Sequence, residues 1–188
     1  MKVLIACEYS GIVRDAFIKN GHDAMSCDLL PTDKPGPHYV GDARDLFDQG
    51  WDLMVAHPPC TRLCNSGVRW LHERDLWDDM RAAAELFNDF LNAPIPMIAV
   101  ENPVMHKYAR EIIGRRADFY VQPWQFGHGE TKKTGFWTKN LKPLLPTDIV
   151  DGRVGRMHKL PPSKDRWKIR STTYQGIADA MATQWGNK

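Results

Sequence analysis

Two prolines, Pro58 and Pro59, stand directly before Cys60, and both follow the apolar run Leu53-Met54-Val55-Ala56. The run reads as a buried strand. Prolines cannot donate to a strand ladder, so they end it. Cys60 therefore leaves the carboxyl end of a strand on a stiff turn, which in a parallel α/β sheet is where ligands and reactive groups collect. A thiol held there is a candidate nucleophile. A second apolar run, Met97-Ile98-Ala99-Val100, ends in Glu101-Asn102-Pro103. Glu101 leaves another strand end, so it and Cys60 can face one pocket. Burial there is expected to raise its carboxyl until it can donate a hydrogen bond. His57, Cys60 and Cys64 do not have the Cys-x2-Cys spacing of a structural zinc site, and no metal is expected.

Pro58-Pro59-Cys60 after a short strand resembles the catalytic signature of DNA (cytosine-5) methyltransferases, and Glu101-Asn102-Pro103 is similar to that family's Glu-Asn-Val motif. The resemblance implies that the Cys60 thiolate adds to C6 of cytosine and that Glu101 donates to N3. It implies that C5 takes a methyl group from S-adenosylmethionine before the C5 proton and Cys60 leave. Both faces of the ring must be reachable, so the partner is single-stranded DNA or duplex DNA with the base flipped out. Amino-methyltransferases of related fold carry Asn/Asp-Pro-Pro-aromatic at this turn, and Cys60 in the fourth place moves the reading to carbon methylation.

The elements that must position these residues follow in order. Lys2 to Ala6 reads as a strand, Cys7-Glu8-Tyr9-Ser10-Gly11 as a turn, and Ile12 to Asn20 as a helix with Arg14 and Asp15 outward and Gly21 at its stop. Ala24 to Cys27 reads as a second strand ending in Asp28. This βαβ unit places an acid about twenty residues after its first turn, the order that holds an adenosine ribose. The turn lacks the Gly-x-Gly-x-x-Gly of dinucleotide sites. It suits S-adenosylmethionine, whose cationic centres Glu8 could face. The cofactor-binding set is Glu8, Tyr9, Ser10, Gly11, Asp28, Asp42 and Pro58. The resemblance carries Asp42 to the adenine amino group, and Asp42 also reads as the N-cap of Ala43 to Phe47.

One long amphipathic helix is expected from Arg69 to Leu91, with Trp70 and Trp77 in the core. A helix from His106 to Arg115 and a strand at Phe119 to Gln122 follow. Glu130-x-Lys132-x-Thr134 then stands where the family has Gln-x-Arg-x-Arg, before an aromatic strand. Asn102, Lys132 and Lys133 are the expected substrate contacts, a lysine supplying the cation without the arginine fork. A helix from Tyr174 to Ala182, with Ser171-Thr172-Thr173 as its cap, resembles the family's last motif.

At 188 residues the chain predicts a single methyltransferase domain over 1–188, α/β and Rossmann-like, with a mostly parallel sheet and helices on both faces. No apolar run approaches membrane length. The four cysteines are expected as free thiols in a cytoplasmic protein of a bacterium or phage-infected host. Residues 1–130 hold 13 Lys and Arg against 19 Asp and Glu, net −6, and residues 131–188 hold 12 against 4, net +8. That asymmetry suits a partner anionic on one side, DNA above all. Residues 139–170 form a basic, Pro-rich loop, expected to be mobile until it meets nucleic acid, in place of the family's target-recognition domain. The size implies a compact, phage-like member. A second reading stays open: a nucleic-acid-binding or partner protein that kept the fold and lost activity.

Overall fold

In a computed structural model of the chain, which describes residues 1–187 apart from the side chain of His158, the apolar runs pair into one sheet. The strands are β1 Lys2–Ala6, β2 Asp23–Asp28, β3 His38–Val40, β4 Leu53–Ala56, β5 Met97–Pro103, β6 Phe119–Val121 and β7 Thr134–Lys139. Their spatial order is 3-2-1-4-5-7-6, and only β7 runs against its neighbours. The helices are α1 Ile12–Lys19, α2 Val68–Glu73, α3 Trp77–Leu91, α4 Lys107–Ile113, α5 Arg156–Lys159, α6 Arg166–Ser171 and α7 Gln175–Gly186.

Alternate strand residues point to opposite faces, so a strand covered on both sides is apolar throughout. Leu4, Ala6 and Met54 pack with Phe87 and Phe90 of α3 and with Trp137. Val3, Ile5, Leu53 and Val55 pack with Val13 and Phe17 of α1 and with Ile177, Met181 and Trp185 of α7. Helices therefore cover both faces, and the fold is the Rossmann-like α/β arrangement that the strand pattern predicts. The topology reverses between β1 and β4. The loops after those strands open a crevice there, which is the usual ligand position in such sheets.

Four local features depart from the sequence reading. Arg14 is fully buried rather than outward. Its guanidinium donates to Ser26 Oγ and Thr32 Oγ1, each at 3.2 Å, and to the carbonyls of Lys34 and Pro35. It thereby pins the proline-rich loop to the sheet. The expected long helix is two helices, because Asp75 takes a left-handed conformation at φ 49° and Asp78 and Asp79 open a new first turn at the positive end of α3. β5 continues through Glu101-Asn102-Pro103, since β7 pairs with those residues out to Pro103. Tyr174, not Ser or Thr, is the N-cap of α7, and the His128 ring caps this helix by accepting from Gly176 N–H at 3.0 Å.

Candidate active site

A cavity of about 680 Å³ opens at the carboxyl edge of β1, β4 and β5. Parallel pairing of β4 with β5, Ala56 beside Val100, brings the two following segments together. Cys60 and Glu101 both line the cavity, with Lys132 and the first turn, Cys7 to Ser10. A volume of this order is what a cofactor plus part of a substrate needs.

The turn that carries Cys60 is braced from β5. Asn102 is fully buried and its Nδ2–H donates to the Pro58 carbonyl at 3.3 Å. Leu63 N–H and Cys64 N–H both donate to the Cys60 carbonyl at 3.0 Å, closing one helical turn. Asn65 N–H donates to Val104 O at 3.0 Å, and the His106 ring donates to Arg62 O at 2.8 Å. Asn102, expected to touch substrate, thus holds the turn that carries Cys60 in place.

His57, one residue before the prolines, places Nδ1 3.0 Å from Glu101 Oε2 in a largely buried pair. With the hydrogen on Nδ1, the ring donates to the carboxylate. Burial pushes the Glu101 carboxyl up, but the His57 hydrogen bond and charge, the Lys132 charge and the Thr134 hydroxyl outweigh it, and the carboxyl is held below its ordinary value. This overturns the expectation that burial would keep Glu101 protonated. His57 Nε2 and Asn102 Oδ1 are buried without a hydrogen-bond partner, so two orphaned polar atoms belong to residues lining one site.

Both lysines line the cavity, but their ammonium groups face different partners. Lys132 is half-buried, its Nζ 3.5 Å from Thr172 O, and its charge acts on both Cys60 and Glu101. Lys133 is exposed and lies over the Tyr120 ring, 4.4 Å from its centroid. Of the two, Lys132 is the one whose charge reaches Cys60 and Glu101. Glu130 is occupied elsewhere: both its oxygens accept from Arg156, and Tyr174 O–H donates to it at 2.7 Å.

The cofactor set is split by the structure. Glu8, Tyr9, Ser10 and Pro58 line the cavity. Glu8 caps α1, accepting from Val13 N–H at 2.7 Å, Arg14 N–H at 3.3 Å and Ser10 O–H at 3.1 Å. Its charge is thus already matched by a helix N-terminus. Gly11, at φ 72°, makes the turn into α1 and lies outside the cavity lining. Asp28 and Asp42 also lie outside that lining but share the same sheet edge, close enough that their charges, after burial, push the Cys7 thiol up. Asp42 caps the following 3-10 turn and pairs with Arg44 at 2.6 Å. Cys7, the residue between β1 and Glu8, takes φ 57°, rare for a residue other than glycine and typical of functional turns. An adenosine bearing a cationic centre fits this chemistry: a largely apolar cavity with a carboxylate-bearing rim.

Several lining residues were not identified from sequence. Trp70, read as core, lines the cavity, with Arg69 and Arg74 each 4.2 Å from its ring centroid. Much of the basic segment is folded against the body rather than loose. Met157, Trp167, Arg170 and Thr172 form one wall, and Tyr9 O–H reaches Lys168 O at 3.2 Å and Ser171 Oγ at 3.0 Å. Among the described residues no cluster of His, Cys, Asp and Glu could hold a metal ion, and no helix is long and apolar enough to cross a membrane.

No protein-family model matches the sequence, and no curated protein does. Among solved structures, the chain is similar to a candidate DNA modification methyltransferase encoded within a prophage (E. coli), with 13% identity and a TM-score of 0.51 over 79% of this chain and 51% of that one. A methyltransferase of Entamoeba histolytica is also similar, with 13% identity and a TM-score of 0.48 over 86% of this chain and 60% of that one. The chain spans about half the length of the first of these proteins. The first likeness establishes the fold: this chain has the Rossmann-like α/β fold of that methyltransferase.

Proposed function

We propose that the protein is an S-adenosylmethionine-dependent methyltransferase that acts at C5 of cytosine in DNA. The observation that carries this reading is the convergence of Cys60, Glu101 and Lys132 on one cavity with the first βα turn. The fold it shares with a candidate DNA modification methyltransferase supports it.

S-adenosylmethionine, when bound, supplies an electrophilic methyl group. Tyr9, Ser10 and Pro58 would hold it beside Cys60, with Asp28 and Asp42 at the rim. Cytosine C5 is a poor nucleophile until a thiolate adds to C6 and pushes electron density toward it. Cys60 makes that bond. Glu101, held as a carboxylate, accepts from the exocyclic amine of the base and orients it. The ammonium of Lys132 stabilises the negative charge that builds on the ring. Loss of the C5 proton and elimination of Cys60 complete the turnover. Lys132 and the basic wall offer phosphate contacts, which position DNA without reading its sequence.

The test is DNA containing 5-fluoro-2′-deoxycytidine, incubated with the protein and S-adenosylmethionine and analysed by intact mass under denaturing conditions. Fluorine blocks the elimination step and traps the adduct. The expected result is one covalent complex that needs the cofactor and is lost in Cys60→Ser. Cofactor binding without an adduct on either single- or double-stranded DNA overturns the substrate. Neither binding nor adduct favours the DNA-binding partner protein.

A further inference from the structure

Two tryptophans line the cavity without being buried in the core. Trp167 of α6 is 48% exposed, and Trp70 of α2 is half-buried. Trp70 follows the Cys60 turn, through the 3-10 turn Asn65–Gly67. Trp167 comes from the basic segment and leans on the first βα turn, its ring centroid 5.5 Å from that of Tyr9. An indole gains by leaving water for a flat apolar surface, so a ring left open at the edge of a cavity marks a contact still to be made.

Both rings are set among cations. Arg69 and Arg74 each lie 4.2 Å from the Trp70 centroid, and Lys168 Nζ lies 5.8 Å from that of Trp167. Arg170 of α6 lines the same cavity. Two of these charges are already matched: Arg69 pairs with Glu73 at 3.8 Å and Lys168 with Asp33 at 3.4 Å. Among the described residues, Arg74 and Arg170 pair with no carboxylate. Aromatic faces interleaved with unmatched cations suit an unpaired strand, whose bases take the rings and whose phosphates take the charges. A duplex offers the rings nothing. Its bases are stacked on one another and show a protein only their edges and the backbone.

We infer that the substrate is a single strand, and that Trp70 and Trp167 stack on the unpaired bases flanking the one held at Cys60, with Arg74 and Arg170 on the phosphates. The inference rests on the reading of this cavity as the cytosine site, and it adds the state of the strand. An unpaired base enters the cavity without first being pulled from a paired stack. Stacking is tolerant of sequence because every base has a π-face, so these contacts hold the strand without reading it.

Fluorescence anisotropy tests this with three labelled ligands: a single strand of about fifteen nucleotides with one central cytosine, the duplex of the same sequence, and the single strand with abasic sugars on either side of the cytosine. The full chain is used without S-adenosylmethionine, so binding is read apart from methyl transfer. The single strand should bind about 5-fold or more tightly than the duplex at one salt concentration. The abasic strand keeps every phosphate and should bind about 5-fold or more weakly than the intact one. Trp167→Ala and Trp70→Ala should each weaken the intact strand by a similar factor and the abasic strand much less. Arg170→Gln should weaken both strands alike and reduce the slope of log affinity against log salt by about 0.7. Should Trp70→Ala not fold, the abasic strand with the wild type and the exposed position Trp167 decide. Equal or tighter binding of the duplex overturns the inference. So does a tryptophan effect as large on the abasic strand as on the intact one, or a Trp167→Ala variant that loses only S-adenosylmethionine binding. A fluorocytosine adduct on duplex alone rejects the single strand and keeps the chemistry, whereas stacking with no adduct on any DNA keeps the surface and rejects the chemistry.

Discussion

Replacing Arg14 with methionine tests whether one buried guanidinium holds the proline-rich loop against the sheet. Methionine approximates the stem and removes every donor. The side chain is fully buried, and its hydrogen bonds to Ser26 and Thr32 lie at 3.2 Å. Hydrogen bonds from a charged group contribute about 1.5–3 kcal/mol each, so these two set a loss of about 3–6 kcal/mol. The other contacts add little. Lys34 O keeps a bond from Thr32 O–H at 2.9 Å, and the exposed Pro35 carbonyl can turn to water. The ion pair with Asp15, a partner 41% exposed, is screened to about 1 kcal/mol at most. Methionine in turn avoids the cost of burying a charge, about 1–4 kcal/mol where buried charges are replaced by apolar groups. The net is a destabilisation of about 3 kcal/mol. For a chain of this size that lowers Tm by about 6–12 °C. The assay is thermal and urea unfolding followed by circular dichroism, with hydrogen exchange over residues 29–40. Asp33 N–H, bonded to Tyr9 O at 2.8 Å, should lose protection early. A Tm shift under about 3 °C with unchanged exchange in this loop would refute the reasoning, because the bonds to Ser26 and Thr32 would then be incidental.

Two further outcomes follow from the site and its frame. The folded-state pKa of Glu101 lies below its ordinary 4.5, so the stability it contributes is present above that value and disappears as pH falls through the folded one. The Tm gap between wild type and Glu101→Gln, measured from pH 7 downward, should narrow in acid, and a gap that widens would show the carboxyl is raised instead. At Gly176 a Cβ would sit 1.9 Å from the Phe126 carbonyl, a backbone atom that cannot step aside, so Gly176→Ala should lower Tm by about 6 °C or more and raise exchange in α7.

Most strands were legible because an apolar run is bounded by a residue that stops it, such as Pro58 after β4, whereas the short β3, His38–Val40, has no apolar run to mark it. The convergence of Cys60 with Glu101 was legible for the same reason, since strand ends in a parallel sheet share an edge. What escaped depended on partners distant in sequence. Arg14 has the residue type and the helical position of a solvent-facing side chain. It is buried only because loop carbonyls twenty residues on fold over it. Trp70 sits in an amphipathic pattern that reads as one helix. The left-handed Asp75 breaks the pattern, and no feature of its neighbours announces that conformation.

Glu101 is the sharper case, because burial and charge state were inferred together and only burial held. A carboxyl in an apolar strand end is pushed up when nothing faces it. Here His57 faces it across strand register, from 44 positions away, and Lys132 and Thr134 face it from the approach to β7. Desolvation depends on the local run and can be read from it, whereas the groups that oppose desolvation come from other elements. The same asymmetry governs Cys60. Pro58 and Pro59 mark Cys60 in the sequence. The groups that share its cavity, Glu101 and Lys132, come from other elements and meet it only once the sheet has formed. The Cys60 thiol is thus placed by its nearest neighbours along the chain, while its surroundings are set by contacts that exist only in the folded protein.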